Sequence, residues 1–323
     1  IDTTGKKMTV CQLYAKQIRH RGNVRYNTKN GRKRLMKLLE EDKLGGCPID
    51  SVKLSDAKEW AIRMKEKGIS YKTISNDKRS LKAAFYTAIQ DDCIRKKPFD
   101  FQLNTVIEDD TEPKVPLTPA QEESFLSFAQ NDKVYQKYYD ELIILLGTGF
   151  RISELCGLTD TDIDFENRII NVDHQLLRSA ETGYYIETPK TKSGIRQIPM
   201  SEKVYEAFNR VLKRSRGAKA VTIDGYSNFL FLNRDGYPKT ATNYDGMFRG
   251  HAKKYNKYHE EALPKVMTPH TLRHTFCTNM ANAGMNPKAL QYITGHSNIT
   301  MTLNYYAHAT FDSAKAEMLR IAA

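Results

Sequence analysis

From Glu108 to Gln121 the chain reads EDDTEPKVPLTPAQ, an acidic stretch broken by three prolines and without helical or strand periodicity. Proline removes a backbone donor and bars the preceding residue from helical geometry, so this stretch can sit inside neither a helix nor a sheet. It divides the 323 residues into two parts, each long enough to bury a core of its own. The predicted organisation is a helical domain over 1–108, a linker over 109–117 and a second domain over 118–323. Thr118-Pro119-Ala120-Gln121 supplies a helix start, with proline at the first position and glutamine where a capping box needs it.

Charge is divided unevenly across that boundary. The net charge is +12, and residues 1–110 hold 24 Lys and Arg against 15 Asp and Glu, while the remainder holds 26 against 23. The first part therefore has the character of an electrostatic clamp for an acidic polymer. Its sequence reads as helices. KMTVCQLYAKQIRH carries Lys16, Arg19 and Arg21 on or near the face opposite its apolar positions. NTKNGRKRLMKLLEED has a basic start, and Arg25 and Arg32 lie around it. SDAKEWAIRMKEKG has an expected N-cap at Ser55. SYKTISNDKRSLKAAFYTAIQDD sets Lys72, Lys78, Arg79 and Lys82 off its apolar stripe. These nine cations are the candidates for DNA-backbone contact, and a merely solvated face is the competing reading.

Five scattered cysteines without a CxxC pair argue against a disulfide framework or a zinc site, and the cytosol is the expected compartment. No apolar run approaches the ~20 residues of a membrane span, and no signal-peptide pattern opens the chain. The start at Ile1 rather than Met leads to the expectation of a longer parent chain.

In the second part, YYDELIILLGTG reads as a buried helix stopped by Gly147 and Gly149. RIINVD, YYIETP and RQIPM read as strands, with KTKSG as the hairpin turn joining the last two, and FLFL as a further short strand. Arg151 follows the glycine turn and opens a helix. It is either a structural arginine paired with Glu154 or a guanidinium fork aimed at a phosphate. His270 and Arg273 stand three apart, as neighbours on one helical face. His296 follows a glycine, and Tyr305 and Tyr306 close the series. An adjacent tyrosine pair is ordinary packing when taken alone. The order is what carries information: arginine, lysine turn, HxxR, Gly-His, tyrosine. Such a set can hold a phosphorane, donate a proton and attack phosphorus. There is no carboxylate cluster near the histidines, no HExxH and no Walker loop, so neither a metal nor a cofactor is expected.

GFRISELCGL, KTKSGIRQIPM and HTLRHTF followed by MNPKALQYITGHSNITMTLNYYAH resemble the boxes of the tyrosine recombinases, the phage-integrase class, and most of all the integrases of conjugative transposons of Gram-positive bacteria. The resemblance covers nearly the whole chain. It implies a mainly α, two-domain C-shaped DNA clamp with a small antiparallel sheet in the catalytic domain. It implies cleavage and rejoining of DNA through a 3′-phosphotyrosine and a Holliday junction, which would excise and integrate a mobile element. In that reading Arg151, Arg273 and His296 bind the phosphate, Lys192 protonates the leaving 5′-oxygen, His270 takes the phenolic proton, and Tyr306, two before His308, attacks. The implied partners are double-stranded recombination sites, a second copy reached through the C-terminal helix (Phe311, Met318, Leu319, Ile321), and a directionality factor. A type IB topoisomerase, which relaxes DNA without synapsis, and a DNA-binding regulator without chemistry are the alternatives.

Overall fold

The computed structural model describes residues 7–22, 24–112, 115–189, 191–215, 221–306 and 318–319. The chain divides into two compact units, residues 1–113 and 114–323, with the boundary inside the proline-bearing segment. No helix among the described residues is long and apolar enough to cross a membrane.

The first unit is a bundle of α1 (Val10–His20), α2 (Tyr26–Glu40), α3 (Leu54–Glu66) and α4 (Tyr71–Gln90). Thr9 starts α1 with a capping box. Its amide donates to Gln12 Oε1 at 2.9 Å, and its Oγ1 accepts from the Gln12 amide at 3.2 Å. Ser70 caps α4, where its hydroxyl accepts from the Thr73 amide. Helix α3 begins one residue before the expected cap. Ser55 lies inside it, and Asp56 does the capping by accepting the Lys53 amide at 2.8 Å, because a carboxylate near a helix N-terminus also answers the helix dipole. The apolar stripes meet around Trp60, Leu81, Phe85 and Phe99, with the Trp60 and Phe99 rings edge to face at 5.9 Å.

The second unit packs α5 (Pro119–Asn131), α6 (Tyr139–Thr148), α7 (Ile152–Gly157), α8 (Glu202–Ser215), α9 (Ala241–Tyr258), α10 (Pro269–Asn282), α11 (Pro287–Thr294) and α12 (Ile299–Leu303) around Phe125, Leu145, Phe150, Phe208, Phe231 and Phe248. Among the described residues, five strands lie between α7 and α8. They are β1 (Ile163–Asp164), β2 (Ile169–Val172), β3 (Gln175–Ser179), β4 (Gly183–Glu187) and β5 (Arg196–Pro199). All pairings are antiparallel, in the orders β1-β2-β5 and β3-β4.

This overturns the expected hairpin. KTKSG does not join two paired strands, because its flanking strands belong to different sheets. QLLRS, which the sequence reading passed over, is the true partner of β4, with Leu176 opposite Ile186 and Leu177 opposite Tyr185. The lysine segment is instead a crossover that ends in a 3-10 turn over Lys192–Gly194. FLFL is no strand either; it forms isolated bridges only, at Phe229 and Leu232. Its residues are apolar because they face the core, and burial alone cannot separate a strand from a buried loop.

Candidate active site

Two helices end on glycines in the left-handed region, and their free carbonyls organise the site. Gly149 (φ 63°) caps α6 and Gly295 (φ 63°) caps α11. The last carbonyls of a helix lack intrahelical partners and sit at the negative end of its dipole. Two arginines occupy them. Arg273 donates to Gly149 O at 2.5 Å and Thr294 O at 2.6 Å, and Arg151 donates to Gly295 O at 2.9 Å. A Cβ on Gly149 would stand 2.4 Å from the Phe276 ring, and one on Gly295 2.9 Å from Ser193 O, so close packing adds to the backbone requirement for glycine.

Glu154 balances the charge. Its carboxylate accepts from the Arg151 amide (2.9 Å) and side chain (2.7 Å), and bidentately from Arg196 (3.1 and 2.9 Å). Burial opposes its ionisation, yet the hydrogen bonds and charge of Arg196, followed by Arg151, hold its carboxyl below the ordinary range. The Arg196 side chain is fully buried and also donates to Ile293 O at 2.6 Å and Gly194 O at 3.0 Å. It thereby ties the lysine turn to the end of α11. Burial, and then the charge of Arg151, pull the Arg273 guanidinium down to about 10. The two readings of Arg151 prove compatible: it pairs with Glu154 and keeps about a third of its side chain exposed.

His296 is buried, and its Nδ1 lies 3.0 Å from Thr302 Oγ1. Burial, followed by the charges of Arg273, Arg151 and Arg196, lowers its pKa to about 4, so it is neutral at pH 7. His251, boxed by Phe125, Phe128 and Tyr135 at 4.3, 5.0 and 4.9 Å, is lowered to about 4 chiefly by burial. A folded-state pKa below the unfolded value means that the unfolded chain protonates first. Stability is then full above pH ~6.5 and falls as pH drops toward 4. Each histidine is expected to cost on the order of 2 kcal/mol by pH 5. Tm should decline between pH 7 and 4.5, and His251→Phe should flatten part of that slope. A Tm constant over this window would contradict the assignment.

His270 is exposed on the first turn of α10, three residues before the buried Arg273. Lys192 is exposed at the start of its turn, two residues before Gly194. Lys190 and His308 lie outside the described residues. The two tyrosines part company. The Tyr306 hydroxyl donates to Met285 O at 2.6 Å. The Tyr305 ring lies parallel to His296 (6.4 Å between centroids, 4° between planes) and edge-on to His274 at 5.1 Å, and it packs on a cluster that includes Cys277. Burial and then Cys277 raise the Tyr305 phenol pKa. The structure thus brings Tyr305, rather than the expected Tyr306, beside the basic cluster. Arg196, Thr302 and Cys277 are additions to the expected set. Cys277 had a signal in the sequence, standing one turn after Arg273.

Among the described residues, Asp162, Asp173 and His174 bring potential metal-ligand atoms within 4.8 Å of one another. Both imidazole nitrogens there are already engaged, Nδ1 with Asp173 at 2.6 Å and Nε2 with Gly157 O at 2.7 Å.

The model of the phage integrase family matches residues 116–313. The chain belongs to the phage integrase family. It is 68% identical over 321 residues to the transposase from transposon Tn916 of Enterococcus faecalis, across 99% of this chain and 79% of that protein. The Tn1549 transposon integrase in complex with a circular intermediate DNA superposes with a TM-score of 0.93 at 76% identity, over 97% of this chain and 99% of that one. The same integrase in complex with transposon right end DNA gives 0.92 at 77%, over 98% and 100%. The first of these carries an arginine-to-lysine and the second a tyrosine-to-phenylalanine substitution, at positions 154 residues apart. This phage-integrase chain is a tyrosine recombinase, mainly α with small antiparallel sheets.

Among the cations expected to meet DNA, Arg19, Arg21, Lys72, Arg79 and Lys82 are exposed. Some have internal partners. Lys82 pairs with Asp100 at 2.5 Å and Lys16 with Asp91 at 2.9 Å. Lys78 is half-buried, donating to Phe101 O at 2.5 Å, and burial lowers its pKa. Arg25 and Arg32 are half-buried. Of the expected C-terminal helix, Phe311 and Ile321 lie outside the described residues, while Met318 and Leu319 are exposed.

Proposed function

We propose that this recombinase cuts and rejoins duplex DNA at paired sites, with Tyr305 as nucleophile. The observation that carries the reading is the pair Arg151 and Arg273, fixed by helix-end carbonyls beside His296 and Tyr305. The DNA-bound structures of the Tn1549 integrase support duplex DNA as the partner. Spacing supports Tyr305. Arg151 and Tyr305 are 154 residues apart, the interval between the two substituted positions of that relative, and near-complete coverage leaves little room for a gap. Tyr306 is one residue too far.

In the proposed reaction the Tyr305 oxygen attacks phosphorus and the bond from phosphorus to the 5′-oxygen breaks. His270 accepts the phenolic proton and Lys192 gives one to the leaving oxygen, leaving a 3′-phosphotyrosine and a 5′-hydroxyl. The guanidinium groups of Arg151 and Arg273 hold the non-bridging oxygens, where charge grows. The 3.0 Å contact between His296 Nδ1 and Thr302 Oγ1 accommodates a neutral imidazole whose proton is on Nε2, the tautomer that can donate to phosphate. A 5′-hydroxyl from a second duplex reverses the attack, and a second exchange resolves the Holliday junction. Self-association through the C-terminal helix and a directionality factor complete the proposal, as do domain limits at 1–108, 109–117 and 118–323.

The test is a pair of assays on the purified chain. Recombination between two cognate transposon ends, with covalent intermediates trapped on nicked duplexes, is the expected result. Relaxation of supercoiled plasmid without recombination would favour a topoisomerase, and DNA binding with neither reaction would favour a regulator.

A further inference from the structure

The tyrosine beside the nucleophile has a function of its own to account for. Helix α12 spans only five residues, too few to hold its position by its own hydrogen bonds, so whatever anchors residues 304–306 decides where Tyr305 stands. The amides of these residues bond back to Thr300, Thr302 and Leu303 O, and the side-chain tie from them to another helix boundary is the Tyr306 hydroxyl on Met285 O. The acceptor is rigid. Helix α10 closes through Gly284 (φ 78°), with the Gly284 amide on Ala281 O and the Met285 amide on Met280 O, both at 3.0 Å. The next residue, Asn286, caps α11 by accepting the Lys288 amide at 2.8 Å. Met285 is therefore a one-residue bridge between two capped helices, and its carbonyl is a fixed point. The Tyr306 ring packs with Tyr305 and Met285 on a cluster of Phe276, Cys277 and Leu290. Adjacent Cα atoms are ~3.8 Å apart, so a fixed Tyr306 leaves Tyr305 little room to move away from His296.

We propose that Tyr306 is a positioning residue, whose hydroxyl anchors on the Met285 carbonyl and sets Tyr305 against His296 and His274. This rests on the reading that Tyr305 attacks.

The experiment measures single-turnover adduct formation on a nicked duplex at saturating DNA, with the adduct residue mapped by mass spectrometry, for Tyr306→Phe and Tyr306→Leu. Tyr306→Phe is expected to slow the maximal rate by about tenfold, in keeping with one lost hydrogen bond of about 1.4 kcal/mol, with apparent Kd unchanged, Tm lower by a few degrees at most, and the adduct still on Tyr305. Tyr306→Leu should be at least as slow. A Tyr306→Phe protein at the wild-type rate would overturn the proposal, whether or not Tyr306→Leu is slow, since ring packing alone would then suffice. An adduct lost in Tyr306→Phe but kept in Tyr305→Phe would instead overturn the assignment of the nucleophile.

Discussion

Tyr305→Phe is expected to abolish the covalent protein–DNA adduct while leaving DNA affinity and thermal stability near those of the parent chain. The substitution removes one oxygen. Among the described residues that oxygen caps no backbone group, so the fold loses little by its removal. The reaction loses its nucleophile, and no neighbour can substitute without a rearrangement, because the Tyr306 hydroxyl is held on Met285 O. The measurement is gel retardation for binding, and denaturing electrophoresis for the adduct on a nicked duplex whose 5′ fragment diffuses away. An adduct in Tyr305→Phe at parental yield would reject the assignment and return the nucleophile to Tyr306.

That choice shows where the sequence stops being informative. Arg151, His270, Arg273 and His296 could be picked out as candidates because each sits in a short motif at a helix boundary, and helix boundaries are written locally by glycine, proline and capping residues. Gly149 could be read as a helix stop, and Gly295 as the residue before His296. That their carbonyls hold the two arginines could not, since the arginine and carbonyl partners are up to 144 residues apart. Between two adjacent tyrosines at the end of a five-residue helix, periodicity gives no preference; only tertiary contacts set them apart, with Tyr305 beside His296 and Tyr306 on Met285 O. The sheet failed for a related reason. Strand pairing is non-local, and a lysine-glycine turn between two strands looks the same whether those strands pair with each other or, as here, with β3 and β2. In the first unit the helices were legible throughout, but the fate of the cations was not: Lys78 and Lys82 looked like free surface charges and found partners at Phe101 and Asp100, about twenty residues on.

Lys192→Ala is expected to slow cleavage by ~10²–10⁴-fold, the range for removing a general acid, with binding little changed. The lysine is exposed, so the fold does not depend on its head group. Its turn, however, is built into the arginine cluster. Arg196 holds Gly194 O at 3.0 Å from one side, and Ser193 O packs so closely on Gly295 that a Cβ there would come within 2.9 Å. Gly295 is the residue whose carbonyl holds Arg151. A cation at the start of this turn therefore has a flexible reach from a base fixed relative to Arg151 and Arg273. The chemical test replaces the bridging 5′-oxygen with sulfur. A thiolate leaves without a proton, so the substitution should restore much of the Lys192→Ala rate. Arg151→Ala should lose ~10²–10³-fold and gain nothing from sulfur, because its proposed role is to stabilise charge on the non-bridging oxygens. Rescue of Lys190→Ala instead would move the general acid two residues back along the same segment. Rescue of neither variant would leave the turn as a DNA contact, with the proton coming from another group.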